Sequence, residues 1–319
     1  MSTATAKAMT VPWFDALCVG GASILFLAAV ALFDIPWCSE SWGDAVFALG
    51  VALNQPHIIG SYALVYENRA SVQRYWKVGL LVPALLLAYL VAIAVLLPAS
   101  RVSLLVSLPV NFLLAWHYTG QSWGMMASFG HLSGLRFTDL ERRLVRTNLT
   151  ALLLFHCFTY AHTYLHVDLF PTGGPPALAR FDEAHVVAFA VAEGTALLGL
   201  FGLLSAWRRT GKRPELRVWL PWIAVHLWYV AMFVNWRAMY WVQIFHAIQY
   251  LPFLLRVQAN RQTDGTAQFA AGLGRGSYLG LYAVYLIGIS AVAYQAFPWL
   301  VEIFGGVTAA FALGRFFDF

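Results

Sequence analysis

The chain has 319 residues, of which 60% are hydrophobic and 11% charged, with a mean hydropathy of +0.67 and a formal net charge of +5. Soluble domains average about 45–50% apolar and about 25% charged residues, so a soluble globular protein is excluded. Cys18, Cys38 and Cys157 have neither metal-type spacing nor a disulfide pattern, which argues against a structural zinc centre and a disulfide-stapled fold.

Taken in chain order, the apolar segments fall at about 12–35, 44–66, 77–98, 102–129, 148–167, 184–206, 217–235, 238–255, 277–296 and 298–315. A spanning helix needs about 20 apolar residues, so the expected fold is all-α, a polytopic membrane bundle of about ten transmembrane helices. The first segment, with a single preceding lysine (Lys7) and an apolar run from Trp13 to Ile35, reads as a span and not as a cleaved signal. The charged, amphipathic stretch Leu135 to Arg146 reads as a surface segment, and 256–276 as a loop or short surface helix. No repeat and no extramembrane region of domain size is visible, so a single transmembrane domain over 1–319 is expected.

The basic residues orient this layout. With the N-terminus cytoplasmic, only Arg101, Arg180 and Arg237 of the 20 Lys and Arg residues fall outside, leaving 17 inside. That is the asymmetry of the positive-inside rule, and it places both termini in the cytoplasm, with a bacterial-type inner membrane as the expected location. The pI of about 9.2 then reports topology. No nucleic-acid partner is expected, and membrane lipid is the surrounding partner.

Ionisable groups at bilayer depth are costly, which makes each a candidate for function. His57, His117, His156, His226 and His246 fall near mid-depth on five different segments. Asn54, His57 and Ser61 share one helical face beside Pro56, which frees a backbone carbonyl. His117, Gly120, Gln121, Gly124 and Ser128 form a polar and small stripe whose Gly spacing suits close helix approach. Gln243, His246 and Tyr250 align with Gln249 beside them, and Trp222, His226 and Tyr229 align on the preceding segment.

The expected metal ligands are His57, His117 and His246, with His226 as a further ligand and His156 after it. Asn54, Gln121 and Gln249 are the polar partners that would orient metal-bound imidazoles. Each histidine also has a plainer reading, as a hydrogen-bonded packing residue. Imidazole suits iron, alone or in haem, and other transition metals such as copper or zinc, and a site without thiolates argues against a structural zinc.

Three further features stand beside that set. His162-Thr163-Tyr164-Leu165-His166 puts two rings on one helix face, near Asp168, as either a metal pair or surface histidines. Glu193 is a carboxylate deep in a segment, a proton donor, metal ligand or cation site, or else a neutral carboxyl bonded to a neighbouring helix. Asp182 to His185 reads as a helix N-terminus with acidic residues.

Pro56-His57, His117-Tyr118-x-Gly120 and His246 together resemble the bacterial Brp/Blh-type carotenoid-cleaving membrane oxygenases. Ile58-Ile59-Gly60-Ser61 stands where that family continues Gly-Ala-Leu-Asp. The resemblance implies histidine-bound iron, O₂ and a lipophilic substrate such as a carotenoid, another isoprenoid or a lipid. The expected function is therefore a membrane-embedded, histidine-ligated non-haem iron oxygenase or oxidase, with Tyr62, Tyr118 or Tyr250 orienting substrate and Glu193 moving protons. The alternatives are a haem-b electron carrier, a proton-coupled transporter, and a pigment-binding subunit docked to a membrane-protein partner.

Overall fold

The computed structural model describes residues 9–66, 69–96, 99–166, 170, 174–265 and 272–296. The tenth apolar segment (298–315), Lys7, Arg315, Asp168 and the turn residues 171–173 lie outside the described residues. Helices make up 87% of the described residues and no strand occurs among them, so the fold is all-α. Among the described residues, four helical stretches are long and apolar enough to cross a membrane: Pro12–Phe33, Leu178–Thr210, Leu216–Val234 and Arg275–Ala296. They mark a membrane protein. Their outer faces agree with lipid contact, since Leu32, Phe33 and Leu197 are more than 70% exposed, a pattern that water would penalise.

The helices are α1 (Pro12–Ala16), α2 (Ala22–Phe33), α3 (Gly43–Leu49), α4 (Gln55–Tyr66), α5 (Arg69–Arg74), α6 (Val82–Leu96), α7 (Ala99–Leu132), α8 (Asp139–Tyr164), α9 (Pro176–Gly194), α10 (Ala196–Thr210), α11 (Leu216–Val234), α12 (Ala238–Thr263) and α13 (Arg275–Ala291). Wide π-helical turns join α1 to α2 (Leu17–Gly21) and α3 to α4 (Gly50–Asn54). The second of these explains how Pro56 is accommodated. A proline ring collides with the carbonyl four residues back, here Ala52, and a π-turn displaces that carbonyl from its α-helical position.

The stretch Leu135 to Arg146 is not a separate surface helix. Thr138 caps α8, accepting from the Glu141 amide at 3.3 Å while Glu141 Oε2 accepts from the Thr138 amide at 2.7 Å. This reciprocal capping box starts one helix that runs on unbroken to Tyr164. Similarly, α12 continues to Thr263, through the first part of the stretch expected to be a loop or a short surface helix.

The chain forms two compact units, Met1–Val46 with Asn111–Phe253, and Phe47–Val110 with Leu254–Phe319. In the first unit α8 packs closely on α10. A methyl group at Gly202 would lie 2.9 Å from the Glu141 carbonyl, and one at Gly199 would lie 2.7 Å from Trp222 Nε1 and 2.8 Å from Asn148 Oδ1. Arg209 of α10 locks the pair, donating to Glu141 from Nε at 2.9 Å and from Nη2 at 2.8 Å. In the second unit Gly60 brings α4 against Leu254 and Leu286, and Tyr278 donates to Gln258 Oε1 at 3.0 Å.

The Arg209 guanidinium, more than any other cause, holds the Glu141 carboxyl well below its ordinary 4.5, at about 2. A carboxyl depressed on folding adds stability that is complete above its unfolded value and is lost as pH falls through its folded one. Glu141 is thus expected to stabilise the fold fully above pH 4.5 and progressively less towards pH 2. Glu141→Gln should cost about 1–2 kcal/mol near neutral pH. It should also flatten the acid limb of the stability profile. An unchanged slope between pH 4.5 and 2 would remove this account.

Candidate functional site

Within the first unit the structure brings five of the expected residues together. His117 on α7 and His246 on α12 have ring centroids 4.7 Å apart at 73°, and their ring nitrogens approach within 4.8 Å. Tyr118 lies against His246 at 4.4 Å, and both are almost fully buried. Gln121, one helical turn beyond His117, donates from Nε2 to the His246 carbonyl at 2.8 Å and reaches Gln249 Oε1 at 3.4 Å. Gln249, wholly buried, donates in turn to the Val19 carbonyl at 2.9 Å. That carbonyl belongs to the π-turn Leu17–Gly21, whose close approach to α11 depends on Gly20: a methyl there would sit 2.5 Å from the Leu220 carbonyl.

The arrangement follows from local sequence. The i, i+4 spacing of His117 and Gln121 puts imidazole and amide on one face of α7, and the amide clasps the backbone of the residue that carries the second imidazole. The two glutamines therefore hold the helices that carry the rings, and do not bond the ring nitrogens as the sequence reading expected. The Gly120 and Gly124 positions have no described residue within 4 Å of an added methyl, so the stripe around His117 borders open space.

Behind His246 a string of rings continues inward. Tyr118 meets the edge of His156 at 6.1 Å, and His156 meets the edge of Tyr229 at 5.8 Å. His156 Nδ1 and the Tyr229 hydroxyl are buried and make no hydrogen bond among the described residues.

His57, Asn54 and Tyr62 belong to the second unit. His57 is buried on α4, where its carbonyl accepts from Ser61 Oγ at 3.0 Å. Asn54 closes the π-turn before α4, and Tyr62 is half exposed and stacked on Tyr66 at 6.0 Å. Tyr250, in the first unit, meets the Phe253 ring at 5.3 Å.

His226 and Glu193 are placed together, in a different cluster. His226 Nδ1 lies 2.7 Å from Glu193 Oε2 and its Nε2 lies 3.1 Å from Asn148 Oδ1. Trp222 Nε1, which can only donate, also meets Asn148 Oδ1 at 2.8 Å, fixing that atom as the acceptor. Asn148 Nδ2 completes the set by donating to Thr195 Oγ1 at 3.1 Å. His226 Nε2 therefore carries a proton, and its Nδ1 shares another with Glu193. The pair is net neutral, and neither nitrogen presents a lone pair to a metal. Asn148 was not singled out in the sequence because an asparagine at the start of an apolar segment looks unremarkable. The only available signal was its position on the face of α8 that meets α10.

A third cluster forms around the HxxxH pair. His162 Nε2 and His166 Nε2 lie 2.9 and 2.6 Å from the same oxygen, Asp182 Oδ1. Asp182 is not at a helix start: α9 begins at Pro176 after a Pro175 N-cap, which puts Asp182 in its second turn.

Comparison with protein-family models, with curated proteins and with solved structures finds no match.

Proposed function

We propose that the chain is a membrane-embedded metalloprotein of the non-haem iron oxygenase or oxidase class, acting on a lipophilic substrate such as an isoprenoid or a lipid. The observation that carries this reading is the meeting of His117 and His246, two imidazoles from α7 and α12 with nitrogens within 4.8 Å. A metal bound at about 2.1 Å by each nitrogen fits that separation with small ring rotations. Two imidazoles facing each other across a haem iron need the porphyrin plane between them. Rings 4.7 Å apart at 73° leave no slot for it, which favours a porphyrin-free centre.

Iron held there supplies redox chemistry with O₂ as the oxidant. The chain's own contribution is positional. Gln121 and Gln249 fix the helices, Tyr118 walls the site, and His156 with Tyr229 offers polar atoms to a substrate that enters from lipid. Glu193 with His226 is the proton-holding pair of the same unit. The same reading extends to topology: ten spans with both termini cytoplasmic, supported by 17 of 20 basic residues on one side, in an inner membrane of bacterial type.

The test is iron content of the purified full chain, by elemental analysis and visible spectrum, beside single alanine variants. His117→Ala and His246→Ala are each expected to lose most of the iron, and His57→Ala tests the third ligand expected from the sequence. A Soret band, or iron content unaffected by His117→Ala and His246→Ala, would reject this reading.

A further inference from the structure

The cluster at the C-terminal end of α8 has features that packing histidines do not need. His162 stands on the last turn of that helix and His166 four residues on, in the π-helical turn just past its end, and both Nε2 atoms face the same way. Across from them α9 presents Asp182, and its Oδ1 lies 2.9 and 2.6 Å from the two nitrogens. All three potential ligand atoms fall within 4.8 Å of one another.

In a tetrahedral site with ligand bonds of about 2.0–2.1 Å, ligand atoms stand about 3.3 Å apart. The two edges that meet at Asp182 therefore have to open by well under an ångström to receive an ion, and the third is no longer than 4.8 Å. Binding would replace the two Nε2 protons that now hold the carboxylate and shift each ring to its Nδ1–H tautomer.

The rings are already aimed. His162 stacks on His185 at 4.1 Å and 14°, and lies parallel to Phe181 at 6.1 Å and 11°. His185 Nε2 is engaged with Thr159 Oγ1 at 3.0 Å, and the His185 ring walls the cluster. The side chains of His162, His166 and Asp182 keep 24%, 36% and 44% of their surface exposed, which leaves room for water in the remaining coordination positions.

We propose that His162, His166 and Asp182 form a second metal site, distinct from the His117–His246 centre, that takes a borderline divalent transition-metal ion such as Zn²⁺. Two imidazoles and one carboxylate with open positions suit Zn²⁺ and Co²⁺ and disfavour Ca²⁺ and Mg²⁺, which take oxygen ligands. The site binds metal whether or not the first centre holds iron.

The experiment is titration of the full chain in detergent with Zn²⁺, and with Co²⁺ as a spectroscopic reporter. The His117→Ala/His246→Ala double variant, which removes the first centre, should still bind one Zn²⁺ and give the visible Co²⁺ bands of a low-coordinate site. Adding His166→Ala, or the isosteric Asp182→Asn, should weaken Zn²⁺ by about 100-fold or more and abolish those bands. An excess of Ca²⁺ should not compete. Unfolding curves of the metal-free variants matching that of the metal-free parent tie the loss to the ligands. Failure of the double variant to bind Zn²⁺, or equal affinity with and without Asp182→Asn and His166→Ala, would overturn the proposal.

Discussion

Arg217→Leu is expected to destabilise the first unit by about 3–5 kcal/mol, the cost of leaving one member of a buried ion pair without its partner. Asp15 is completely buried, and its carboxylate accepts from the Met9 amide at 2.9 Å, the Thr10 amide at 3.0 Å, and Thr10 Oγ1 at 2.7 Å. Its countercharge is Arg217 Nη1 at 3.2 Å, from a guanidinium that also binds Glu215 and sits 5.3 Å over the Phe129 ring. The substitution removes the countercharge of Asp15 and leaves a buried anion that neutral donors only partly compensate.

Two companions separate charge from packing. Arg217→Lys keeps the charge but loses the fork, and should cost less than half as much. Asp15→Asn added to Arg217→Leu should recover part of the loss, because two neutral groups need no pairing. Denaturant or thermal unfolding in detergent measures all three. An Arg217→Leu variant within about 0.5 kcal/mol of the parent, the range typical of surface substitutions, would show that the pair is not structural.

This pair also shows where the sequence stops being informative. Asp15 lies in the first apolar segment, and its partner is on a helix 202 residues away. No periodicity links them. The same holds for Glu193 and His226, which were read separately as a proton mover and a metal ligand, and which the fold pairs with each other. By contrast, the meeting of His117 with His246 was foreshadowed locally. A histidine and a glutamine one turn apart on an apolar helix must face something polar, and α12 carries the matching Gln249.

Helix type was legible from hydropathy throughout, but the span count was not settled by it. The polar residues that build sites lower the mean hydropathy of the helices that carry them. Helix α12 holds Gln243, His246, Gln249, Arg256 and Gln258 and is not among the four stretches long and apolar enough to cross a membrane. The role of Asp182 was missed because the proline pair Pro175-Pro176 starts α9 earlier than the apolar pattern suggests, so an apparent cap became a mid-helix carboxylate facing α8.

The Glu193–His226 pair carries the other large expected effect, and its variants should rank in an order that charge alone does not give. His226→Leu leaves Glu193 with no partner on either oxygen, since Oε1 already makes no hydrogen bond among the described residues. In a low-dielectric span this should cost about 3–5 kcal/mol. Glu193→Leu leaves only a neutral imidazole with one unused nitrogen, costing about 1–3 kcal/mol.

Glu193→Gln should be mildest, at about 1 kcal/mol or less. The glutamine amide donates to Nδ1, so a neutral His226 keeps its Nε2–H bond to Asn148 Oδ1. The ranking follows from the proton inventory: one proton too many for a neutral ring, balanced by one carboxylate. If His226→Leu and Glu193→Leu are equally destabilising, the pair is not the neutral, proton-sharing unit that the contacts with Asn148 and Trp222 require. If Glu193→Gln matches the parent in stability yet loses turnover of a lipophilic substrate, the pair's proton is used in the reaction as well as in the fold.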